Sequence, residues 1–461
     1  VTAVEPYDLI IVNGTVIDPA QKTITSGNIG TRSGKIAVVT GDTIIGKQQI
    51  DALGYIVCPG FIDIHGHIDG DLGCAGLSAI QGVTTTVGGN CGLGPASLEK
   101  FFTDQDQRGF PINQAELTGH SFTLRERVGI ADPFIPATTG QIRQMQAMVE
   151  QEFKDGAIGL SFGLEYAPGT SFEEMLALSR IAADYGRLIA IHTRMLAPGD
   201  LDSLTEAIRI SELTGARVLL SHFVYQYGNG KELITEALKI VDLARQKGLD
   251  IWVDSGMYTA FATFIGTPVF SEECMEKFGW QLEDLLVASG EYCGQRLTPK
   301  LYTEMRTDHP DDTVICLTGA ETDIVAPLLK DYTMVSSDTG PTPSGIASEG
   351  HPQKAGTFPR FFRKMNREQN YLSLLKAVEK CTLLPANTLG LTNKGRLTEG
   401  ADADLVIWDL ERIADRADFP GLGKPDAPPE GIGYVIVNGQ IVVKEGHLLE
   451  GIFPGRTIRV I

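Results

Sequence analysis

The sequence predicts an α/β fold, a (β/α)₈ TIM barrel carrying a small β-sandwich domain built from both chain termini. Three observations carry this: short apolar runs alternate with helical stretches through the middle of the chain, eight such runs can be counted, and similar strand-rich segments flank them at either end.

At the N-terminus, apolar runs at 9–12 and 15–17 flank Asn13-Gly14, the dipeptide that favours a type I′ hairpin. Near the C-terminus the runs 434–437 and 440–443 flank Asn438-Gly439 in the same way, and 403–409 adds a further strand. Residues 1–58 and 396–461 are therefore expected to form the β-sandwich, and 59–395 the barrel.

The barrel strands are expected near 61–65, 83–88, 116–120, 157–161, 188–192, 217–222, 250–254 and 333–338. The unit from Leu188 shows the logic: an apolar run, a helix to Leu213, Gly215 as its stop, then the next strand from Arg217. The preceding helix is expected to start at a capping box of Ser171 and Glu174 and to stop at Gly186, with Met175, Leu178, Ile181 and Ala182 as its buried stripe. Residues 264–312, between the seventh and eighth strands, are too long for an ordinary connection and are expected to form a lid over the active site.

Composition narrows the function. A chain of 461 residues exceeds one typical core, and 43% hydrophobic with 21% charged residues is a globular profile. A net charge of -19 argues against a nucleic-acid partner, which requires a basic surface. No apolar run approaches the roughly 20 residues that span a bilayer, and residues 1–8 carry no signal-peptide pattern. The missing initiator Met leaves a trimmed presequence open. Seven cysteines without framework spacing point to a reducing, cytoplasmic setting. The expected partner is a small-molecule substrate; a homo-oligomer is left open.

The chemistry begins at Asp63-Ile64-His65-Gly66-His67, where strand alternation points residues i and i+2 to one side so that two imidazoles can grip one ion. A lone His-x-His is as readily two ordinary histidines, so partners matter. His192 ends the fifth strand, His222 the sixth and Asp338 the eighth, each at the barrel end where catalytic side chains collect. Cys91, after the second strand, and Glu165, after the fourth, could each bridge two ions, as thiolate or as carboxylate; no lysine ends the fourth strand to supply a carbamate instead. His120, ending the third strand, is assigned to orienting substrate or a ligand.

On these residues the chain resembles the amidohydrolase superfamily and, within it, the D-aminoacylases, which are N-acyl-D-amino-acid deacylases. The motifs include Asp8-Leu9-Ile10-Ile11, Pro59-Gly60-Phe61-Ile62-Asp63, Gly82-Val83-Thr84-Thr85, Gly89-Asn90-Cys91-Gly92, the stretch 156–166, Gly356-Thr357-Phe358-Pro359-Arg360, Ala401-Asp402-Ala403-Asp404 and Pro454-Gly455-Arg456. The resemblance runs almost end to end. It implies zinc, as one or two ions, at His65, His67, Cys91, His192, His222 and Asp338, and it puts Glu165 where many superfamily members place a bridging carboxylate.

The resemblance also implies hydrolysis of a C–N amide bond by a metal-activated water, with Asp338 as general base passing a proton to the leaving nitrogen. Departures fall in the substrate pocket. A basic residue expected shortly after the sixth-strand histidine is missing from Ser221-His222-Phe223-Val224-Tyr225, and the stretch after the seventh strand reads Gly256-Met257-Tyr258, with Ala262 at a position expected to be polar. Tyr258 is expected to contact substrate or the oxyanion, and Arg194, Lys354 and Arg360 are the candidate counter-charges for a negative substrate. A cyclic-amide hydrolase of the hydantoinase or dihydropyrimidinase type would use the same metals and base. A deaminase or a non-catalytic scaffold fits the ligand set less well.

Overall fold

The computed structural model describes residues 5–195 and 197–460. Eight parallel strands follow one another in chain order around a barrel: Phe61–Asp63, Val83–Gly88, Asn113–Gly119, Gly159–Gly163, Leu188–His192, Val218–Leu220, Ile251–Ser255 and Thr333–Val335. The last strand meets the first beyond the regular ladder, where the Asp338 amide donates to the His65 carbonyl (2.8 Å) and the His67 amide to the Thr339 carbonyl (2.6 Å).

Side-chain alternation decides what faces inward. Leu188 and Ala190 join Ile64, Leu117, Leu219 and Met334 in one buried cluster, whereas Ile189 and Ile191 pack outward against helix residues such as Met175, Leu178, Leu204 and Ile208. His192 continues the inward parity of Leu188 and Ala190, which carries its ring to the barrel mouth.

Two strands lie away from their expected positions. The third starts at Asn113, three residues early, and its polar start is explained by docking: the Asn113 amide donates to the Thr84 carbonyl (3.0 Å) and to Asp404 (3.1 Å), and its oxygen accepts from Asn438 (2.8 Å). The fourth is displaced by two residues, to Gly159–Gly163.

Both termini contribute to a separate β domain, a continuous nine-stranded sheet. Leu405 and Ile407 pack into its own core with Leu9, Ile11, Ile29 and Val57, while Val406 and Trp408 on the other face join Phe61, Phe358 and Phe361 of the barrel. The two Asn-Gly pairs behave differently. Asn438 and Gly439, at φ +47° and +80°, turn the expected hairpin between Ile432–Val437 and Gln440–Lys444. Asn13-Gly14 does not: Tyr7–Asp18 is one strand, and its register against Thr23–Arg32 shifts between Ile11 and Gly14 as a β-bulge. Asn28 and Asp51 bond the Asn13 backbone and side chain at 2.9 Å each, and a Cβ on Gly14 would stand 2.5 Å from the Val57 side chain. Local turn preference loses there to pairing on both strand edges.

The helix Phe172–Asp184 is capped by Ser171, whose hydroxyl accepts from the Glu174 amide (3.1 Å). The expected reciprocal half of the capping box is missing because the Glu174 carboxylate is buried and bonded to His120 and Arg125. Between the seventh and eighth barrel strands, Phe261–Phe264, Leu285–Val287 and Thr313–Cys316 form a three-stranded antiparallel sheet with its own core of Ile265, Phe270, Val287 and Met305. Among the described residues no helix is long and apolar enough to cross a membrane.

Candidate metal centre

Cys91 sits at the middle of the barrel mouth because its loop is built for close approach. It holds φ +53° in the turn Asn90–Gly92, and a Cβ on Gly163 would lie 2.0 Å from its carbonyl oxygen. Its sulfur stands 3.4 Å from His65 Nε2, from His222 Nε2 and from His192 Nδ1. Two donors on a tetrahedral zinc, with bonds of about 2.3 Å to sulfur and 2.0 Å to nitrogen, are roughly 3.5 Å apart, so these separations fit that ion.

Among the described residues, donor atoms within 4.8 Å of one another define three groups: His65 with His67 and Cys91, Cys91 with His192 and His222, and His65 with His222 and Asp338. The Asp338 carboxylate lies 3.3 Å from His65 Nε2 and 3.1 Å from His67 Nε2. Asp338 and His222 both hold positive φ, +53° and +32°, a strained setting for residues with side chains and one that collects at functional sites. The buried Nδ1 atoms of His67 and His222 have no hydrogen-bond partner.

Electrostatics makes the cluster a set of mutually compensating charges. Burial pushes the Cys91 thiol up, but the surrounding His65, His222 and His192 outweigh it and hold the group well below its ordinary value. For Asp338 burial again pushes up, and hydrogen bonds from His65 and His67 with the nearby His222 charge hold it well below the carboxylate range. Burial lowers His192 and His67, yet their anionic neighbours raise them to about 9 and about 10. Thiolate and carboxylate are the forms that bind a cation, and the imidazoles bind one only by giving up the proton that these anions otherwise hold on them.

Glu165 is placed differently from the bridging position expected for it. Its Oε2 is 2.7 Å from His192 Nε2, the ring nitrogen facing away from Cys91, and Gln226 donates to the same oxygen at 3.3 Å. It backs His192, whereas Cys91, like His65 and His222, belongs to two of the donor groups.

Of the expected substrate residues, four are engaged by scaffold partners and the fifth, Tyr258, keeps a buried hydroxyl without a hydrogen-bond partner. His120 is buried, with Nε2 2.8 Å from Glu174 and Nδ1 3.2 Å from Ser121, so it braces a helix. Arg194 donates to Glu206, to the Pro168 carbonyl and to the Thr170 carbonyl at 2.8–3.1 Å. Arg360 bonds the Met257 carbonyl, Asp415 and Glu321. Lys354 is buried and donates to the Glu349 carbonyl. Tyr258 is buried edge-on against His351 and Phe419, and its ring is covered by Arg360. None of these five lines the cavities at the barrel mouth.

Among the described residues two cavities open at the barrel mouth. The smaller borders His192, His222 and Asp338, and the larger borders His67, Cys91 and Asp338; Tyr166, Ala262 and Thr263 line both. The Thr263 hydroxyl donates to Tyr166 (3.0 Å), tying the three-stranded insertion to the rim.

Sequence reasoning missed Asp254. Its Oδ2 is 3.2 Å from His65 Nδ1, while Oδ1 accepts from the His222 amide (2.8 Å) and the Ser336 hydroxyl (2.6 Å). A His65 Nδ1–H donated to Asp254 leaves Nε2 free to face the donors. The signal was available, since Asp254 lies at the end of the seventh strand. Tyr166, whose ring packs 4.8 Å from His192, and Tyr225, bonded to Gln353 at 2.8 Å, were also missed as cavity walls.

The amidohydrolase family model matches residues 135–442. The D-aminoacylase of Alcaligenes xylosoxydans xylosoxydans is 30% identical over 98% of this chain and 98% of its own. The N-acyl-D-glutamate deacylase of the same organism is 29% identical over 99% and 97%. The crystal structure of N-acyl-D-glutamate deacylase from Bordetella bronchiseptica, complexed with zinc and a phosphonate mimic of the tetrahedral intermediate, superposes with a TM-score of 0.86 at 28% identity, covering 99% of this chain and 100% of that one. The L-hydantoinase of Arthrobacter aurescens, covering 98% and 100% at TM-score 0.63 and 16% identity, shares the fold. By its ligand cluster, its barrel and these relatives, the chain belongs to the amidohydrolase family and, within it, to the D-aminoacylases.

Proposed function

We propose that this protein is a zinc-dependent hydrolase that removes the acyl group from an N-acylated D-amino acid or a closely related N-acyl compound. One observation carries the reading: Asp338 sits where two cavities meet, beside a thiolate shared by two groups of metal donors. His65, His67, Cys91, His192, His222 and Asp338 would hold the metal, as one or two ions, and Glu165 and Asp254 would fix the His192 and His65 rings. The chemistry that zinc supplies when bound is Lewis-acid activation of a water and of the scissile carbonyl.

The chain's own residues do the rest. Asp338, held ionised by its imidazole neighbours, accepts the proton of the attacking water and returns it to the departing nitrogen. Tyr166 and the insertion residues Ala262 and Thr263 wall the meeting point of the cavities. All seven cysteines are free, which supports a cytoplasmic location.

A cyclic-amide hydrolase is the second reading, favoured by the lack of any lysine or arginine along the cavity walls among the described residues. Incubating the zinc-loaded protein with N-acetyl-D- and N-acetyl-L-amino acid derivatives, hydantoins and dihydropyrimidines, with amine release and ring opening read together, separates the two. Stereoselective amine release is expected; ring opening without it would replace the deacylase reading by the cyclic one.

A further inference from the structure

We infer, resting on the deacylase reading, that the substrate carries no free carboxylate and that its amine half bears an aromatic or large apolar group seated against Phe261, Phe278 and Trp280.

The charge of the cavities comes first. Apart from histidines, the ionisable carboxylates and cations along the smaller cavity are Glu165 and Asp338, and along the larger one Asp69 and Asp338. Among the described residues no lysine or arginine lines either, so whichever half of the substrate enters which cavity, a carboxylate would meet like charge and no side-chain counter-ion. The nearby cations are not in reserve. Arg194 and Arg360 are each saturated by carboxylates and carbonyls, and Lys354 is held on the Glu349 carbonyl.

His351, which borders the larger cavity, is also spoken for. Its Nε2 donates to the Ala260 carbonyl (3.0 Å) and its Nδ1 accepts from the Gln353 amide (3.0 Å), an arrangement that requires the neutral ring. Where a charged partner would be expected after the sixth strand, the smaller cavity has Val224.

The smaller cavity offers apolar surface instead. Phe278 stacks on Trp280 with centroids 4.6 Å apart at 25°, and Phe261 lies 5.4 Å from Trp280. All three rings are half-buried and border the cavity, so an incoming aromatic ring can complete their packing. Asn229 and Thr318, which line the same cavity, can hydrogen-bond a neutral carboxamide. An N-acyl amino acid amide, or the acylated end of a short peptide, has this chemistry.

The test compares kcat/KM of the zinc-loaded enzyme for N-acetyl-D-phenylalaninamide, N-acetyl-D-phenylalanine and N-acetyl-D-alaninamide. The first is expected to exceed each of the others by about tenfold or more. Val224→Lys, or Ala262→Arg should the first variant fail to fold, is expected to shift the preference toward the free acid. Equal or faster turnover of the acid by the wild type overturns the inference and leaves the deacylase reading standing. Ring opening of hydantoins with no amine release from any N-acyl compound overturns the deacylase reading itself. Calorimetric binding to the zinc-loaded Asp338→Asn variant asks the same question without turnover: the amide is expected to bind at least about tenfold more tightly than the acid. Equal or tighter binding of the acid, or binding of neither, overturns the inference.

Discussion

The donors at the barrel mouth and the cations just outside it rest on one kind of sequence signal, a polar residue at a strand end or in the loop that follows. They end in opposite situations. His65, His67, Cys91, His192, His222 and Asp338 crowd together with unpartnered ring nitrogens among them, whereas Arg194 and Arg360 have their guanidinium groups matched to scaffold carboxylates and carbonyls. The difference teaches that a functional side chain is marked less by its position than by unfinished bonding. A group whose partners are all in place is part of the frame.

The largest effect that could break this contrast is at Asp338. Asp338→Asn is expected to lower kcat by a factor on the order of 10²–10⁴ while the melting temperature stays close to wild type, read by steady-state kinetics beside calorimetry. Unchanged turnover would remove Asp338 from the chemistry. Next comes Asp254→Asn, which takes the acceptor from His65 Nδ1; metal affinity, measured by competition with a chelator, is expected to fall by about 10–100-fold.

A smaller and opposite signature is expected from the frame. Arg194→Met breaks a pairing with Glu206 in which the arginine side chain is 12% exposed and the carboxylate 23%. Unfolding free energy should fall by about 2 kcal/mol, discounted from a fully buried pair for that exposure, with KM changed by less than about twofold. A KM increase without loss of stability would return Arg194 to the substrate site.

The remaining expectation concerns pH. Burial pushes His351 down to about 3 from an ordinary 6.5, so the folded protein keeps it neutral while the unfolded chain protonates below 6.5. The stability this confers is complete above pH 6.5 and is lost as pH falls toward 3. Relative to wild type, His351→Gln should remove a slope of about 1.4 kcal/mol per pH unit in urea unfolding between pH 6 and pH 4. Parallel curves for the two proteins would refute the assignment.

Much of the barrel was legible because inward and outward strand residues alternate and because His65, His67, His192, His222 and Asp338 follow apolar runs. What escaped did so for tertiary reasons. Asn113 looked like loop until Asp404 and Asn438, both from the far end of the chain, were seen to satisfy it inside a strand. Asn13-Gly14 looked like a turn, and only two neighbouring strand edges make it a bulge. Glu174 looked like half of a cap, while its carboxylate is drawn to Arg125 and His120 across the fold. In the site, Glu165 was read by chemical type, and its placement behind His192 depends on Gln226 and a loop path that periodicity does not encode.

The seam where the barrel closes lies between the His65 carbonyl and the Asp338 amide and between His67 and Thr339. Three of those residues, His65, His67 and Asp338, also carry donors, and His67 and Asp338 stand 271 positions apart. During synthesis the two early imidazoles therefore wait for most of the chain before their carboxylate partner emerges. An unfinished or misassembled chain can display histidines but not a working centre, so chemical competence and a correctly shut barrel arrive together. Cargo captured across that joint would act as a clasp, and its loss would be felt first as a loosening between the oldest and youngest strands of the barrel.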